Sequence, residues 1–544
     1  MSQIRELALK NAIQHQGKAD PKAVLTSLLS QNPDLRKKAK ELLQEATAEV
    51  EKVNSLSEEQ QKKEFDALGG KIEKKKEEEK KLPPLPNADS YKQIVLRFEP
   101  SPSGPLHFGH TRAIILNDEY AKIYKGKLIL RIADTNAKNI DLAAYEKIPR
   151  DLEWLECKIA ETFLQSDRVK LYQEYMLKLI EAGHAYACNC PQEKFKALVD
   201  AKQACSCRGL STNENVLRWK LMLKGEKGYV IRVKTDIAHK NPAIRDWPAF
   251  RAVEEKHPRS DETVWPLMNF AVAIDDHLMG LTHVLRGKDH LDNTERQKYV
   301  FKYFSWTPPE YLHYGRMNLD AEIALSKTKI KKAITDGELS GWEDARLPTL
   351  EVLRKRGIQP KAIRHAMLDV GIKQVDFTFS WENLYSINKK EIDPVAERYF
   401  FVEDPVKLKI QGAPAKQVKL PKHPQNPNAG YREYSVGKSP EIWVSEKDLN
   451  HEAPIRLKDL YNVLVHKQEL RTEYSGDAVI DPKVQWIQGG VPCQVHMPDG
   501  RILSGLAENE CAKLKEGAII QFERFGFVRI TQAGAKITAY YAHK

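Results

Sequence analysis

The sequence has little cysteine and no long apolar run. Only seven of its 544 residues are cysteine, which does not suggest the disulfide framework of a secreted protein. No apolar run approaches the ~18 residues that a membrane span requires. Residues 1–20 contain Arg5, Glu6 and Lys10 and lack the apolar core of a signal peptide. We therefore expect a cytoplasmic protein that does not act at a membrane.

The balance of charges is positive. Lysine and arginine together number 86 and the acidic residues 75, which gives a net charge of +11. An excess of positive charge fits a polyanionic partner such as a nucleic acid, although a charged fraction of 30% is also ordinary for a globular protein. The length predicts about three to five domains.

The stretch Arg97–His110 reads RFEPSPSGPLHFGH and carries the strongest local signal. A β-prone apolar segment leads into it, prolines and a glycine end the strand, and a helical pattern follows. A strand, a tight turn and a helix start in this order present backbone N–H groups to phosphates. His107 and His110 are spaced to reach one triphosphate, and Gly109 lets a nucleotide approach the backbone. The alternative is an ordinary turn with two surface histidines, because the stretch matches neither GxGxxG nor GxxxxGKS/T.

Strand and helix patterns alternate through residues 91–190, which predicts successive βα units of a parallel sheet. Asp134-Thr135-Asn136 follows the second strand, at the edge where open α/β sheets bind ligands. Arg286 follows the strand residues THVL and is placed for an anion. Asp275-Asp276 could be a metal pair, but we favour a structural role for these two carboxylates.

A second candidate phosphate-binding element follows more than 200 residues after His107. Arg316-Met317-Asn318-Leu319 leads to Leu325-Ser326-Lys327-Thr328-Lys329. A flexible lysine beside small polar residues suits a mobile loop that closes on a triphosphate. The LSK signal is weak alone, and its pairing with HFGH in an α/β domain strengthens the interpretation.

Two close cysteine pairs predict a metal site. Cys188 and Cys190 are separated by fourteen residues from Cys205 and Cys207. Four thiolates at this spacing can form the tetrahedral site that Zn²⁺ favours. The alternative is a set of free buried cysteines. A zinc ion bound here would be structural, since four thiolates leave no open coordination position.

The flanking segments differ in composition from the sheet region. Residues 1–90 are highly charged, include EKKKEEEKK at 73–81, and predict a helical extension plus a linker. Residues 331–394 look mainly helical. Six residues are expected to give this helical region a basic surface: Arg346, Arg354, Lys355, Arg356, Arg364 and Lys373. Residues 395–544 show short strand signals that predict one or two antiparallel β-barrels, linked or decorated by a lysine- and proline-rich segment at 413–440.

Several blocks in a fixed order point to one family. The blocks are RFEPSPSGPLHFGH, LRIADTN, DDHLMGLTHVLRGKDH, RMNL with LSKTK, GWEDARLPTLEVLRKRG, INKKEIDPVAERYF and EGAIIQFERFGFVRI. Together they resemble archaeal-type glutamyl-tRNA synthetases, in the glutamyl/glutaminyl branch of the class I aminoacyl-tRNA synthetases. The resemblance covers about residues 90–544.

The resemblance implies a multidomain α/β fold. It assigns residues 91–330 to a Rossmann-like (HUP-type) parallel-sheet catalytic domain, with an inserted acceptor-end and zinc subdomain at about 185–262. It assigns residues 331–394 to a helical tRNA-contact domain and residues 395–544 to antiparallel β-barrels that bind the anticodon.

The resemblance also implies a two-step reaction, in which glutamate attacks the α-phosphorus of ATP and the adenylate then acylates tRNA(Glu). His107 and His110 would bind phosphate oxygens, Lys327 would neutralise the departing pyrophosphate, and Gly109 and Ser326 would contact ATP. Mg²⁺ would arrive with ATP. Members in cells without a glutaminyl enzyme also charge tRNA(Gln), which the sequence leaves open, as it leaves open the oligomeric state.

The choice of amino acid depends on few positions. A guanidinium can hold a carboxylate through two hydrogen bonds, whereas the N–H groups of an amide repel it. The resemblance implies that Arg97 and Arg286 hold the side-chain carboxylate, and Ser101 also matches glutamyl rather than glutaminyl members. Glutamate is therefore the expected substrate.

Two positions depart from the family pattern. Ala133 stands where the family commonly has an acidic residue that meets the substrate α-amino group, and Met268 stands where it usually has a tyrosine. Three alternatives to a glutamyl enzyme follow: a glutaminyl-tRNA synthetase, a tRNA-binding paralogue with impaired amino-acid activation, and a small-molecule adenylyltransferase that shares HxGH. The basic helices and C-terminal barrels argue against the last, which would not need them.

Overall fold

The computed structural model describes residues 2–14, 17–32, 35, 38–68, 82–319, 327–449, 454–466 and 471–544. The chain divides into two compact units, Met1–Lys80 and Lys81–Lys544. No helix in these described ranges is both long enough and apolar enough for a membrane span.

The described part of the first unit is helical. Its helices are α1 (Ser2–Gln14), α2 (Pro21–Gln31), α3 (Ala39–Asn54) and α4 (Glu58–Ala67). Asp20 begins α2 by accepting a hydrogen bond from the Ala23 amide, with Pro21 at the first helical position. The apolar residues at helical spacing, such as Leu28 and Val50, are buried together in one core. The charged segment at 73–81 lies outside the described residues.

The second unit begins with alternating strands and helices. Up to residue 392 the elements are β1 (Val95–Phe98), α5 (Phe108–Ile123), β2 (Lys127–Ile132), α6 (Ala144–Trp154), β3 (Glu161–Leu164), α7 (Val169–Glu181), β4 (Ala185–Cys188), α8 (Gln192–Asp200), α9 (Thr212–Leu223), β5 (Val230–Val233), β6 (Pro248–Ala252), β7 (Val264–Pro266), α10 (Met268–Leu278), β8 (His283–Gly287), α11 (Leu291–Tyr303), β9 (Glu310–Tyr314), β10 (Met317–Leu319), α12 (Lys327–Thr335), α13 (Leu350–Arg356), α14 (Pro360–Val370), β11 (Phe377–Phe379) and α15 (Trp381–Ile392).

A parallel sheet lies at the centre of this region, as the alternating pattern predicts. Strand β2 pairs in parallel with both β1 and β3. The amide of Thr282 donates to the carbonyl oxygen of Val95 at 3.0 Å, which places the start of β8 beside β1, and β8 pairs in parallel with β9. The carboxyl ends of β1, β2 and β8 therefore share one edge, where ligands of such sheets bind.

Helices cover this sheet and connect it to the helical region. Ile114 and Ile115 of α5 are buried in the same apolar core as Leu353 of α13 and Ile363 of α14. The amide of Leu350 also donates to the carbonyl oxygen of Leu106 at 3.0 Å. The start of α13 is thus fixed directly against the HFGH turn.

An antiparallel sheet interrupts the parallel one. Strands β4, β5, β6 and β7 pair antiparallel in chain order. Their core buries Trp219 of α9, Phe250 of β6 and Phe270 of α10, so the excursion packs against the helix that leads back to β8.

The C-terminal region consists of strands. They are β12 (Glu397–Tyr399), β13 (Phe401–Glu403), β14 (Pro405–Gln411), β15 (Lys416–Pro421), β16 (Tyr431–Val436), β17 (Glu441–Ser445), β18 (Ile455–Leu457), β19 (Asn462–His466), β20 (Arg471–Gly476), β21 (Lys483–Val484), β22 (Val491–His496), β23 (Ile502–Ala507), β24 (Ile519–Phe522), β25 (Gly526–Gln532) and β26 (Ile537–His543).

These strands form two barrel-like sheets. A seven-stranded sheet has the order β12-β24-β25-β26-β22-β23-β13, and a six-stranded sheet has the order β17-β14-β20-β19-β18-β21. Only Phe400 separates β12 from β13 along the chain, so the two edges of the seven-stranded sheet meet and the barrel is nearly closed. The predicted α/β architecture with C-terminal barrels is confirmed, and each barrel also contains two parallel strand pairs.

Two details of the sequence interpretation need correction. Residues 413–440 are not a plain linker, because β15 and β16 pair as an antiparallel hairpin whose alternate residues, such as Val418 and Leu420, are buried. The expected basic surface at 331–394 is also smaller. Arg356 is buried against the carbonyl oxygens of Tyr541 and Ala542. Arg364 pairs with two acidic residues of α5, so neither guanidinium is free for RNA.

Candidate active site

The side chain of His107 caps helix α5. Its Nδ1 accepts a hydrogen bond from the Gly109 amide at 3.1 Å, and the Nδ1 of His110 accepts one from the His107 amide at 3.1 Å. Because an amide can only donate, each neutral ring must carry its proton on Nε2. Each histidine therefore has an Nε2–H group available for an anion at the N-terminus of a 16-residue helix.

Both histidines are neutral near pH 7. Burial, followed by the positive charge of Lys327, lowers the pKa of His107 to about 4. Burial, followed by the proximity of His107 and Lys327, lowers the pKa of His110 well below its ordinary value. The two ring centres lie 3.8 Å apart. Two neutral donors can thus share the site with a lysine without adding positive charge.

Lys327 reaches the turn that follows β1. It is the first residue of α12, and its Nζ donates to the carbonyl oxygen of Gly104 at 3.3 Å. Gly104 has a φ of +143°, and a Cβ atom there would lie 2.9 Å from the Trp342 ring, so the turn requires glycine. Burial, followed by the charge of Lys331, lowers the pKa of Lys327 to about 8, and Asp141 opposes this. The ammonium group is therefore mostly charged at neutral pH.

The structure brings together the residues predicted to bind phosphates where it describes them. Gly109 is the second residue of α5, and its amide is held by His107. Ser326 lies outside the described residues. Ser101 is exposed in the turn after β1. The roles assigned to these residues remain predictions.

Arg97 lies in a buried cluster of charges rather than alone. Its Nε donates to Asp276 Oδ1 at 2.9 Å, and its terminal nitrogen pairs with Glu99 Oε2 at 2.9 Å. Arg131 donates to Asp276 Oδ1 at 2.6 Å and pairs with Glu99 Oε2 at 3.1 Å. Arg97 is therefore held rigidly at the end of β1, between two carboxylates.

The Asp275 and Asp276 side chains have a structural role, as we favoured. Asp275 accepts from Arg168 at 2.8 Å and from the Tyr172 hydroxyl at 2.6 Å. Both carboxylates are fully buried. The Asp276 Oδ2 atom is the exception in this network, because within the described residues no donor reaches it.

Arg286 is a buried arginine without a counter-ion in the described part of the chain. One terminal nitrogen donates to Thr294 Oγ1 at 2.6 Å and to Gln297 Oε1 at 2.9 Å, both neutral acceptors on α11. Its buried Nε has no partner among the described residues. Burial, followed by the charge of Arg97, lowers its pKa to about 10. A buried cation of this kind favours an anionic ligand.

Tyr311 was not identified from the sequence. It lies on β9, next to β8, and the Arg286 guanidinium sits 5.0 Å from the centre of its ring. Its hydroxyl group is buried and finds no hydrogen-bond partner in the described residues. The signal was its place on a strand beside Arg286, but the local sequence did not reveal which strand pairs with β8.

The two unusual positions lie at the same edge of the sheet. Ala133 follows β2, and its amide donates to the carbonyl oxygen of Pro100 at 2.9 Å. Met268 is the first residue of α10 and is 39% exposed. Neither side chain can replace the polar residue that the family pattern has at that position.

The four cysteines predicted to bind metal come together. The sulfurs of Cys188 and Cys205 lie 3.9 Å apart, and those of Cys190 and Cys207 lie 3.8 Å apart. All four sulfurs are within 4.8 Å of one another. A tetrahedral ion about 2.3 Å from each sulfur would separate them by about 3.8 Å, so the cluster fits Zn²⁺.

Comparisons with known proteins agree with this arrangement. A family model described as tRNA synthetases class I (E and Q), catalytic domain, matches residues 93–394. Two models for the anti-codon binding domain of the same family match residues 396–479 and 442–531. The chain belongs to the class I tRNA synthetases of the E and Q type.

Relatives of this E and Q synthetase match it over its whole length. A glutamate–tRNA ligase from Methanocaldococcus jannaschii is 48% identical, covering 97% of this chain and 97% of the relative. The glutamate–tRNA ligase of Methanothermobacter thermautotrophicus is 45% identical over 99% of this chain and 98% of its own, and that of Pyrococcus furiosus is 45% identical with both chains fully covered. A crystal structure of a glutamate tRNA ligase from Elizabethkingia meningosepticum aligns with a TM-score of 0.39 at 22% identity over 56% of this chain and 70% of that chain, too distant to support an argument. The family resemblance seen in the sequence blocks is confirmed.

Part of this E and Q synthetase has a purely architectural role in its matched anti-codon binding domains. Arg432 of β16 pairs with Glu508 and Glu523, and Lys458 also pairs with Glu523. These contacts join the six-stranded barrel and its hairpin to the seven-stranded one. Arg432 is 2% exposed, so its charge stabilises the junction of the barrels.

Proposed function

We propose that the protein is a glutamate–tRNA ligase, which activates L-glutamate with ATP and transfers it to the 3′ end of tRNA(Glu). The observation that carries the choice of amino acid is Arg286, a buried guanidinium with an unpartnered Nε and no counter-ion among the described residues. The names of the full-length relatives support the same activity.

The ATP end of the site would act by charge stabilisation and positioning. The Nε2–H groups of His107 and His110, together with the N-terminus of α5, would hold the phosphates as charge develops on their oxygens. Lys327 would neutralise the pyrophosphate as it leaves. Gly109 would let the nucleotide lie close to the backbone, Ser326 would contact ATP, and Mg²⁺ would arrive with ATP. No protein nucleophile is required, because the substrate carboxylate attacks the α-phosphorus itself.

The glutamate end supplies donors to a carboxylate. The Arg286 Nε and the Tyr311 hydroxyl are buried donors that lack acceptors, and a γ-carboxylate offers lone pairs to both. The amide of glutamine would direct N–H groups at one of them, leaving that donor unpaired. Arg97, fixed by Asp276, adds positive charge. Ser101, in the turn after β1, belongs to the same proposed amino-acid site.

The tRNA partner is proposed from the C-terminal region. The two matched anti-codon binding domains at 396–479 and 442–531 support contact with an anticodon. The proposal is limited to tRNA(Glu), because nothing in the comparisons favours tRNA(Gln) as well. A tRNA substrate also agrees with the net charge of +11.

The cysteine cluster is proposed to hold a structural zinc ion through Cys188, Cys190, Cys205 and Cys207. Four thiolates would stabilise the loop around α8 and leave no open position for chemistry. Zinc ligation requires reduced thiols, which supports a cytoplasmic location.

One aminoacylation experiment tests the proposal. Purified protein is supplied with ATP, Mg²⁺ and either glutamate or glutamine, each with tRNA(Glu) and with tRNA(Gln). We expect charging only of tRNA(Glu), and only with glutamate. Preferred use of glutamine would indicate a glutaminyl enzyme. Binding of tRNA without charging by either amino acid would indicate a non-catalytic paralogue.

A further inference from the structure

The charged cluster at the sheet edge has an uneven composition. Four guanidinium groups, those of Arg97, Arg131, Arg168 and Arg286, gather around three carboxylates, those of Glu99, Asp275 and Asp276. Arg286 is the member without an ion pair among the described residues. Glutamate carries two carboxylates and one ammonium group, so its single net negative charge would balance the cluster.

The two ends of a bound amino acid need opposite partners. If the γ-carboxylate lies at Arg286, only two methylene groups separate its carbon from the carbon that bears the ammonium group. The ammonium group must therefore lie in the same cleft, close to a carboxylate. An ammonium group without a counter-charge would be expensive to bury beside several arginines.

Most carboxylates near this edge are unavailable to a ligand. Asp275 and Asp276 are fully buried behind the arginines. Asp134 is also buried and accepts hydrogen bonds from the Ser166 amide, the Ser166 hydroxyl and the Tyr145 hydroxyl. Ala133, at the end of β2, has no charge to offer.

Glu99 is the member of the cluster that a ligand can reach. Its side chain is 10% exposed, whereas both aspartates of the cluster are at 0%. It follows β1 directly and pairs with Arg131 of the neighbouring strand. Since side chains alternate between faces, Ala133 and Arg131 share a face, so Glu99 lies beside the face of Ala133.

Unpartnered acceptors surround this carboxylate. Gln165 Oε1 and Asp276 Oδ2 are buried atoms to which none of the described residues donates. Gln165 contacts Glu99 through its amide nitrogen over a long 3.4 Å, which leaves room for a better donor. Orphan donors at Arg286 and Tyr311, and orphan acceptors near Glu99, match a ligand with a carboxylate at one end and an ammonium group at the other.

We propose that the carboxylate of Glu99 binds the α-ammonium group of glutamate, in place of an acidic side chain at position 133. This inference rests on the proposed glutamate activation and names the residue that recognises the amino end of the substrate. The neighbouring Asp289 is the competing candidate, as it is 44% exposed and near Arg286, but its nearest partner is His290 at 3.6 Å. Glu99 instead lies within the arginine cluster itself.

The test compares two ligands that differ in the ammonium group. L-glutamate and glutarate are each measured as ligands of the full-length protein by calorimetry, with glutamate-dependent ATP–pyrophosphate exchange as a second readout. For Glu99→Gln we expect glutamate affinity to fall about tenfold or more, since a lost hydrogen bond between charged groups has effects of this size. Glutarate affinity should change less than about threefold on the same scale. A change in the pairing of Arg97 or Arg131 alone would alter both ligands equally.

Further variants separate the explanations. Glu99→Gln combined with Ala133→Glu should restore the preference for glutamate over glutarate. Asp289→Asn and the exposed Glu161→Gln on β3 are matched controls and should leave the preference unchanged. Equal losses for the two ligands in Glu99→Gln, or a selective loss in Asp289→Asn, would overturn the inference.

Two outcomes remain to be distinguished. If Glu99→Gln does not fold, Ala133→Glu alone tests the same geometry, and an unchanged preference for glutamate over glutarate would contradict it. If the unaltered protein neither binds glutamate nor catalyses exchange, the proposed function itself fails, which is a different result from an unselective Glu99 variant.

Discussion

The Nζ atom of Lys327 donates a hydrogen bond to the carbonyl oxygen of Gly104 at 3.3 Å, across 223 residues of sequence. This contact attaches the start of α12 to the turn between β1 and the HFGH helix. It puts a partly buried ammonium group close enough to His107 and His110 to lower the pKa of both rings. One basic and two neutral donors thus surround the space proposed for a triphosphate.

Replacing Lys327 by alanine should slow adenylate formation by about 100-fold, because one charge-stabilising donor has effects of this order. Single-turnover ATP–pyrophosphate exchange at saturating ATP measures the change, and a filter-binding assay should show unaltered tRNA affinity. Lys329→Ala, on the exposed side of the same helix, is the matched control. An unchanged exchange rate in Lys327→Ala would show that the lysine does not act on the pyrophosphate.

The pH dependence of ATP use should report the same lysine. Its pKa is lowered from 10.5 to about 8, so the free protein loses this charge as the pH rises through 8. We expect kcat/KM for ATP to fall about tenfold between pH 7 and pH 9, following the protonated fraction of one group. Lys327→Arg keeps its charge throughout and should give a flat profile. An equal fall in both proteins would assign the dependence to another group.

Arg286 should decide between glutamate and glutamine. Arg286→Cys removes the partner of a desolvated γ-carboxylate, which costs about 2–5 kcal/mol, so kcat/KM for glutamate should fall roughly 30-fold or more. Glutamine needs no counter-charge, and its relative use should rise. Competition between the two amino acids in aminoacylation measures the ratio.

The control for this experiment is Arg296→Cys. Arg296 lies on the same helix as Thr294, half-buried, and donates to the carbonyl oxygen of Ala243. It should lower activity with the two amino acids alike. If Arg286→Cys behaves in the same way, Arg286 supports the structure or ATP binding, and the glutamate assignment loses its main support.

The cysteine cluster should contain one zinc ion per chain. Elemental analysis of freshly purified protein should give close to one equivalent, and less than about half would contradict the tetrahedral site. Cys205→Ser should lose zinc and loosen the α8 region, seen as faster proteolysis or hydrogen exchange there, with ATP–pyrophosphate exchange less affected. Cys157→Ser, a cysteine outside the cluster, should keep its zinc.

Local chemistry made several of these features visible in the sequence. The strand, the proline-rich turn and the helix start around His107 follow from the conformations that each residue allows. The spacing of Cys188, Cys190, Cys205 and Cys207 limits the geometry in the same way, because two residues apart already brings each pair together. The alternation of strands and helices predicted the parallel sheet for the same local reason.

Other features depend on contacts between distant parts of the chain. The sequence could mark Arg286 as a strand-end arginine, but only the pairing of β8 with β9 and the packing of α11 left its Nε without a partner. Tyr311 was invisible for the same reason. The hairpin at Lys416–Pro421 and Tyr431–Val436 was hidden by its lysines and prolines, because only its inward side chains report burial.

The sequence by itself determined the family, the order of the chemical elements and the residue types available for phosphate, metal and carboxylate. Tertiary structure alone decided which of these charges are spent on one another. Arg97 is already paired with Asp276, Arg364 with Asp118, whereas Arg286 has no ion pair in the described chain. The reason is physical: a charge is free for a ligand only if no nearby group neutralises it, and neighbours in space are set by folding rather than by spacing along the chain.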